Sequence, residues 1–254
     1  MTENAPLVAA PPCARSPRRG VPAPTCQNGP VANLGPGRPR VEQRRRRGST
    51  PRAEILDAAG ELFTTNGYAN TSTRAIADAV GIRQASLYHH FAAKDDILDA
   101  LLAETVAAPL ELAQRLRAAS EPPPVRLYAL ALFDVRQLCA SRWNLGALYL
   151  LPELRTERFA AFRLRRDELR GHYEALATQV LAEVSAVRVP GTELLPFRLV
   201  ETVISIRSDE GAAPKYAERT IPGAVLRALG WSGDLDPIRA EAVVLLDRLA
   251  SPTP

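Results

Sequence analysis

Thr71-Ser-Thr-Arg-Ala-Ile-Ala-Asp-Ala-Val80-Gly-Ile-Arg-Gln-Ala-Ser-Leu-Tyr-His-His90-Phe91 is the stretch whose reading sets the fold of this chain. Thr71 offers a capping hydroxyl. Ile76, Ala77 and Val80 then recur at helical spacing as the inner face of a short helix that Gly81 ends. After a turn of a few residues, Gln84 to Phe91 predict another short helix, with Leu87 and Phe91 four apart and pointing inward. Ala77 and Gly81 lack bulk where the two helices cross, and Gly81 admits the left-handed backbone of the turn. Upstream, Ser49-Thr50-Pro51 gives a capping hydroxyl followed by proline at the first helical position, where its missing N–H costs nothing. Ile55, Leu56, Ala59, Leu62 and Phe63 line one face of that first helix to about Asn66, and Gly67 stops it. Three short helices with a tight turn between the last two are a helix-turn-helix.

The outer face of the third helix carries Gln84, Ala85, Tyr88 and His89. A recognition helix offers such a face to the DNA major groove. A Gln amide matches the donor and acceptor on adenine, an Ala methyl touches thymine, and the tips of Tyr88 and His89 reach phosphates or base edges. Thr71 and Ser72 open the second helix, where free N–H groups and hydroxyls suit a phosphate oxygen. Thr73 and Arg74 extend that surface. Arg52 and Lys94 are expected to supply further phosphate contacts, Lys94 from the start of a fourth helix, and Arg83 a phosphate or base contact.

Ile55-Leu-x-Ala-Ala-x-x-Leu-Phe63, Asn66-Gly67-Tyr68, Thr71-Ser-Thr-Arg74, Ile76-Ala77, Ala79-Val-Gly-Ile82, Leu87-Tyr-His-His-Phe91 and Lys94-Asp-Asp-Ile-Leu98 occur in that order. The stretch from about 50 to 98 resembles the DNA-binding domain of the tetracycline-repressor (TetR) family of bacterial transcriptional regulators. The resemblance implies DNA contacts at Thr73, Arg74, Gln84, Ala85, Tyr88, His89 and Lys94. Arg83 and Ala93 depart from it, each replacing a polar cap. Beyond residue 98 only length and helical character agree. The resemblance implies a C-terminal domain that binds a small-molecule effector and forms a homodimer, so that two recognition helices meet a palindromic operator about 34 Å apart. The function so implied is repression relieved by the effector.

The net charge of +4 conceals an asymmetry. Residues 1–50 hold nine arginines against Glu3 and Glu42, a net of +7, which leaves the remainder acidic. That arm is also rich in Pro and Gly and poor in large apolar side chains, so it is expected to be disordered alone and to seek a polyanion. Within it, Gly37-Arg38-Pro39-Arg40 and Arg44 to Arg47 suit the minor groove. The implied organisation is an arm over 1–48, a helix-turn-helix domain over 49–96 and a helical domain over 97–254.

An all-α fold is expected throughout. The 46% hydrophobic content is mostly Ala and Leu, with only 6% aromatic residues, which favours helices over sheets. Helices are predicted over 94–118, broken or kinked at Pro109, then 125–141, a longest one over 156–184, 194–207, 215–229 and 236–250, with an apolar segment at 143–151. No segment reads as a membrane span or secretory leader, so a cytoplasmic location is expected. Cys13, Cys26 and Cys139 lack the spacing of a zinc site or disulfide framework. With only three histidines and no phosphate loop or Ser/His/Asp set, neither an enzyme, a metal nor a cofactor is expected.

Tyr128, Phe133, Arg136, Gln137, Trp143, Tyr149, Phe159, Phe162 and Tyr173 combine aromatic surface with a few polar groups, the composition of an effector pocket. For the implied dimer interface the candidates are Leu195, Leu199, Val203 and Ile206 with Val243, Leu246 and Leu249, and Glu201 and Arg207 paired across it. Two competing readings are an architectural DNA binder without effector, and a helical ligand-binding protein without a DNA role.

Overall fold

Thr50 starts the first helix as its sequence requires, its hydroxyl accepting from the Ala53 N–H at 3.2 Å with Pro51 at the first helical position. The computed structural model describes residues 48–184 and 189–250. The arginine arm, with Cys13 and Cys26, lies outside the described residues apart from Gly48. Nine α-helices follow within the described residues: α1 Pro51–Thr65, α2 Thr73–Val80, α3 Gln84–Tyr88, α4 Lys94–Arg117, α5 Pro123–Ala140, α6 Ala160–Glu183, α7 Leu195–Glu210, α8 Ala217–Ala228 and α9 Asp236–Ala250. No strand occurs among them.

Three expectations about elements are corrected. Ser72, not Thr71, caps α2, its hydroxyl accepting from the Ala75 N–H at 3.1 Å. α3 ends at Tyr88 rather than Phe91, where the His90 N–H bonds the Leu87 carbonyl three residues back at 2.9 Å and the last turn tightens. The apolar segment and the expected start of α6 are 3₁₀ turns, Leu145–Leu150, Pro152–Arg155 and Glu157–Phe159. That leaves α6 no longer than α4, both 24 residues.

Nor does Pro109 break α4, which continues through it. A helical proline cannot donate to the carbonyl four residues earlier. That carbonyl belongs to Thr105, and the Gln137 side-chain amide from α5 donates to it at 2.8 Å.

Two buried clusters organise the chain. One holds the inner faces of α1, α2 and α3, the first turns of α4 through Val106, and Leu148, Leu154, Phe159 and Phe162. The other surrounds α5, which packs on α4, α6, α7, α8 and α9. The boundary expected at 96/97 therefore falls inside α4, a single rod running from the first cluster (Ile97, Leu98) to the second (Leu112, Leu116).

Candidate nucleic-acid interface and the polar core behind it

Gly81 caps α2 in the left-handed region at φ 76°, its N–H donating to the Ala77 carbonyl at 2.9 Å. This aims α3 across α2, with Leu87 fully buried and Gln84, Ala85, Tyr88 and His89 exposed. On the outer face the Gln84 amide donates to the Thr73 hydroxyl at 3.0 Å and reaches the Tyr88 hydroxyl at 3.3 Å, while Thr73 and Tyr88 lie 3.1 Å apart. Thr73, Gln84 and Tyr88 thus form one exposed triangle of groups that both donate and accept. Arg83 stands exposed at the start of α3, and Arg74 is exposed with Asp78 3.9 Å away. Arg52 lies over the Phe91 ring at 4.8 Å, joining α1 to the end of the motif.

Two expected phosphate ligands are placed otherwise. Thr71 is buried, its hydroxyl donating to the Gly67 carbonyl at 2.9 Å and close to that of Leu62 at 3.2 Å. It closes the α1–α2 loop and is withdrawn from any phosphate. Lys94 is half-buried, its ammonium donating to the carbonyls of Tyr68 and Thr71 at 2.9 and 3.0 Å and lying 4.1 Å from the Tyr68 ring centroid. Two of its three donors are committed to the loop. Ala93 is no cap, as expected, and Asp96 compensates by accepting from the Ala93 N–H at 2.9 Å. Tyr68 donates to Asp95 and Arg158 to Asp96, so the first turn of α4 is tied both to the motif and to the 3₁₀ region.

The residues expected to line one effector pocket are dispersed, because α5 is surrounded and its successive side chains face different neighbours. Tyr128 is buried in the second cluster. Phe133 and Arg136, with Gln137, line a cavity of about 500 Å³ between α4, α5 and α9, and Arg136 pairs with Glu218 at 2.9 Å. Gln137 serves α4 as described above. Trp143 belongs to the junction with α1: its indole N–H donates to Asp57 at 3.1 Å, Arg142 pairs with the same carboxylate at 2.9 Å, and the ring lies against Gly60. Phe159 and Phe162 pack in the first cluster.

Tyr149 and Tyr173 do converge, on a polar core that composition did not reveal. Tyr149 donates to the Thr105 hydroxyl at 2.7 Å, and Tyr173 donates to Asp134 at 3.1 Å. Arg166 pairs with Glu201, whose other oxygen accepts from Arg198 at 3.1 Å. Asp134 is buried, and loss of water pushes its carboxyl up to about 7, against the opposing hydrogen bond from Tyr173. Its only sequence signal is a carboxylate on the apolar face of α5.

The expected dimer residues divide as well. Val203 and Leu246 are buried within the protomer and are withdrawn. Val243 and Leu249 are partly buried against the second cluster. Leu195 is 43% exposed and Thr202 is exposed, while Leu199 and Ile206 on the same face of α7 are half-buried, Leu199 against the second cluster. Within the protomer Glu201 and Arg207 are each engaged elsewhere: Glu201 holds Arg166 and Arg198, and Arg207 donates to the Leu138 and Ser141 carbonyls at the end of α5.

A helix-turn-helix seated on a helical body of this layout defines a class of bacterial DNA-binding regulator. Residues 55–101 match the family of bacterial regulatory proteins described as the tetR family. The crystal structure of Mycobacterium smegmatis AmtR is 58% identical, the alignment covering 84% of this chain and 100% of that one with a TM-score of 0.77. The HTH-type transcriptional repressor KstR2 of Mycobacterium tuberculosis is 47% identical over 51 residues, and the HTH-type transcriptional regulator UidR of Escherichia coli 39%. Each of these two matches takes in 20% of this chain and only 26% of the relative's length. The KstR2 structure, 22% identical at a TM-score of 0.59, shares the fold. This chain belongs to the TetR family of bacterial regulatory proteins.

Proposed function

We propose that the protein is a sequence-specific transcriptional repressor that binds a palindromic operator as a homodimer and is released by a small-molecule effector. The observation that carries this reading is the exposed Thr73–Gln84–Tyr88 triangle on a helix-turn-helix whose inner face is fully packed. Hydrogen-bonding side chains left on the outside of a rigid recognition helix suit base edges, and Gln84 suits adenine. The α7 face that carries exposed Leu195 and Thr202 with half-buried Leu199 and Ile206 supports pairing of two copies through α7. The rod of α4, joining motif to helical domain, supports control of the first by a ligand in the second. The +7 arm adds affinity independent of sequence, and the protein acts in the cytoplasm, where its DNA is. Among the described residues no helix is long and apolar enough to cross a membrane.

The test is selection of a binding site from a random DNA pool, followed by footprinting and sedimentation of the complex. Two protomers on an inverted repeat are expected. Uniform affinity for all sequences, or one protomer per site, overturns the reading.

A further inference from the structure

Arg166 fills its surroundings much as a bound ligand would. Its guanidinium carbon lies 5.0 Å from the Tyr149 ring centroid and 5.1 Å from that of Phe197, its terminal nitrogen donates to Glu201, and its Nε is buried without a hydrogen-bond partner. Asp134 is buried beside it, bonded to Tyr173. The space left among these groups is about 10 Å³, too little for more than one water, so nothing enters while Arg166 is in place. Tyr149 and Arg166 also form a wall of a second cavity of about 250 Å³, between the 3₁₀ turns and α6, lined by Leu151, Leu154 and Phe162 and by the charged Asp167, Arg155 and Arg163, the last donating to the Leu154 and Thr156 carbonyls. Arg166 is therefore the partition between that cavity and the buried carboxylate.

The charge of the inner compartment identifies what can take its place. Without Arg166, the Glu201 carboxylate is left, among the described residues, with only Arg198, which is mostly exposed, and the flat faces of Tyr149 and Phe197 attract cations. An anion or a neutral apolar molecule would strand the Glu201 carboxylate, a penalty that a cation avoids.

We propose that this compartment is a binding site for a small organic cation, a guanidinium or alkylammonium with a short apolar tail, which enters from the 250 Å³ cavity and displaces Arg166 from Glu201. The tail remains among Leu151, Leu154 and Phe162. The proposal rests on the effector reading for its consequence at the operator, though not for binding itself.

The experiment titrates the full chain with n-butylguanidinium, n-butylammonium, n-butyrate and n-butanol at constant ionic strength, by calorimetry and thermal melting. Saturable binding and a raised melting temperature are expected for the two cations alone. Arg166→Ala removes the internal competitor and should tighten butylguanidinium at least tenfold, while Glu201→Gln should weaken it at least tenfold. Because truncating Arg166 strands Glu201, Arg166→Gln is measured beside it, and the wild-type titration needs neither variant. Equal shifts for butyrate and the cations overturn the proposal, as does the absence of saturable cation binding in both wild-type protein and a folded Arg166 variant. Operator affinity is followed in parallel: cation binding that leaves it unchanged supports the site and removes the effector reading.

Discussion

Gln137 donates its side-chain amide to the Thr105 carbonyl at 2.8 Å, the carbonyl that Pro109 deprives of a partner within α4. A side chain on α5 thereby replaces a backbone N–H on α4. Gln137→Ala should lower unfolding free energy by about 1–3 kcal/mol, the cost of leaving a part-buried acceptor unpaired. In a Pro109→Ala background, which restores the N–H, that cost should shrink by about 1 kcal/mol. Urea titration of the four proteins checks this, and strictly additive losses would contradict it.

Gln84→Ala is expected to cost about 1–3 kcal/mol at the selected operator and to relax preference at one position in each half-site. Removal of the amide also frees Thr73 and Tyr88 from their shared bonds. Randomised-site selection at fixed salt gives the readout. Retention of the wild-type preference at every position would move base reading to Arg83 or Tyr88.

Lys94→Met should act on the fold before it acts on DNA. Its ammonium holds the Tyr68 and Thr71 carbonyls, and charged hydrogen bonds of this kind contribute about 1.5–3 kcal/mol each when lost. The melting temperature should fall, while the slope of log affinity against log salt changes by less than the roughly 0.9 that each neutralised phosphate contributes. A loss of one full unit of slope at unchanged stability would return Lys94 to the phosphate backbone.

Gly60→Ala should destabilise α1, against the usual gain of roughly 1 kcal/mol for this exchange inside a helix. The added methyl would stand 2.9 Å from Trp143 Cδ1, and that indole is held by its bond to Asp57. Trp143→Ala, which removes the obstacle, should restore the usual sign. Thermal melts of the single and double variants decide it.

Asp134 makes stability depend on pH. Its carboxyl, faced by Tyr173, Glu201 and Arg166, is raised in the folded state from 3.8 to about 7. The folded chain therefore holds this proton where the unfolded chain has released it. The stabilisation is complete below pH 3.8 and is lost as pH rises through about 7. Asp134→Asn should remove this part of the slope between those values. Chemical denaturation across the range, wild type against variant, measures the difference, and parallel curves would refute the assignment.

The motif was legible in the sequence because each part of it is local. Ile76, Ala77, Val80 and Leu87 are set by helical spacing, and Gly81 by a backbone angle that a side chain resists. Even there, spacing left open which of Thr71 and Ser72 would cap α2. The chain brought Thr71 back to the Leu62 and Gly67 carbonyls, and Ser72 took the cap. The polar core was legible only in fragments, Tyr149 and Tyr173 as aromatic residues of an expected pocket and Asp134 as a carboxylate on an apolar helix face. Thr105, Asp134, Tyr149, Arg166 and Glu201 lie on five separate elements, and nothing in their spacing along the chain brings them together. The sequence by itself determined the helices, the turn and the exposed face of α3, which depend on interactions three and four residues apart. Only the tertiary structure decided which buried polar groups meet, because an unpaired carboxylate or carbonyl in a low-dielectric interior must find its partner wherever packing places one.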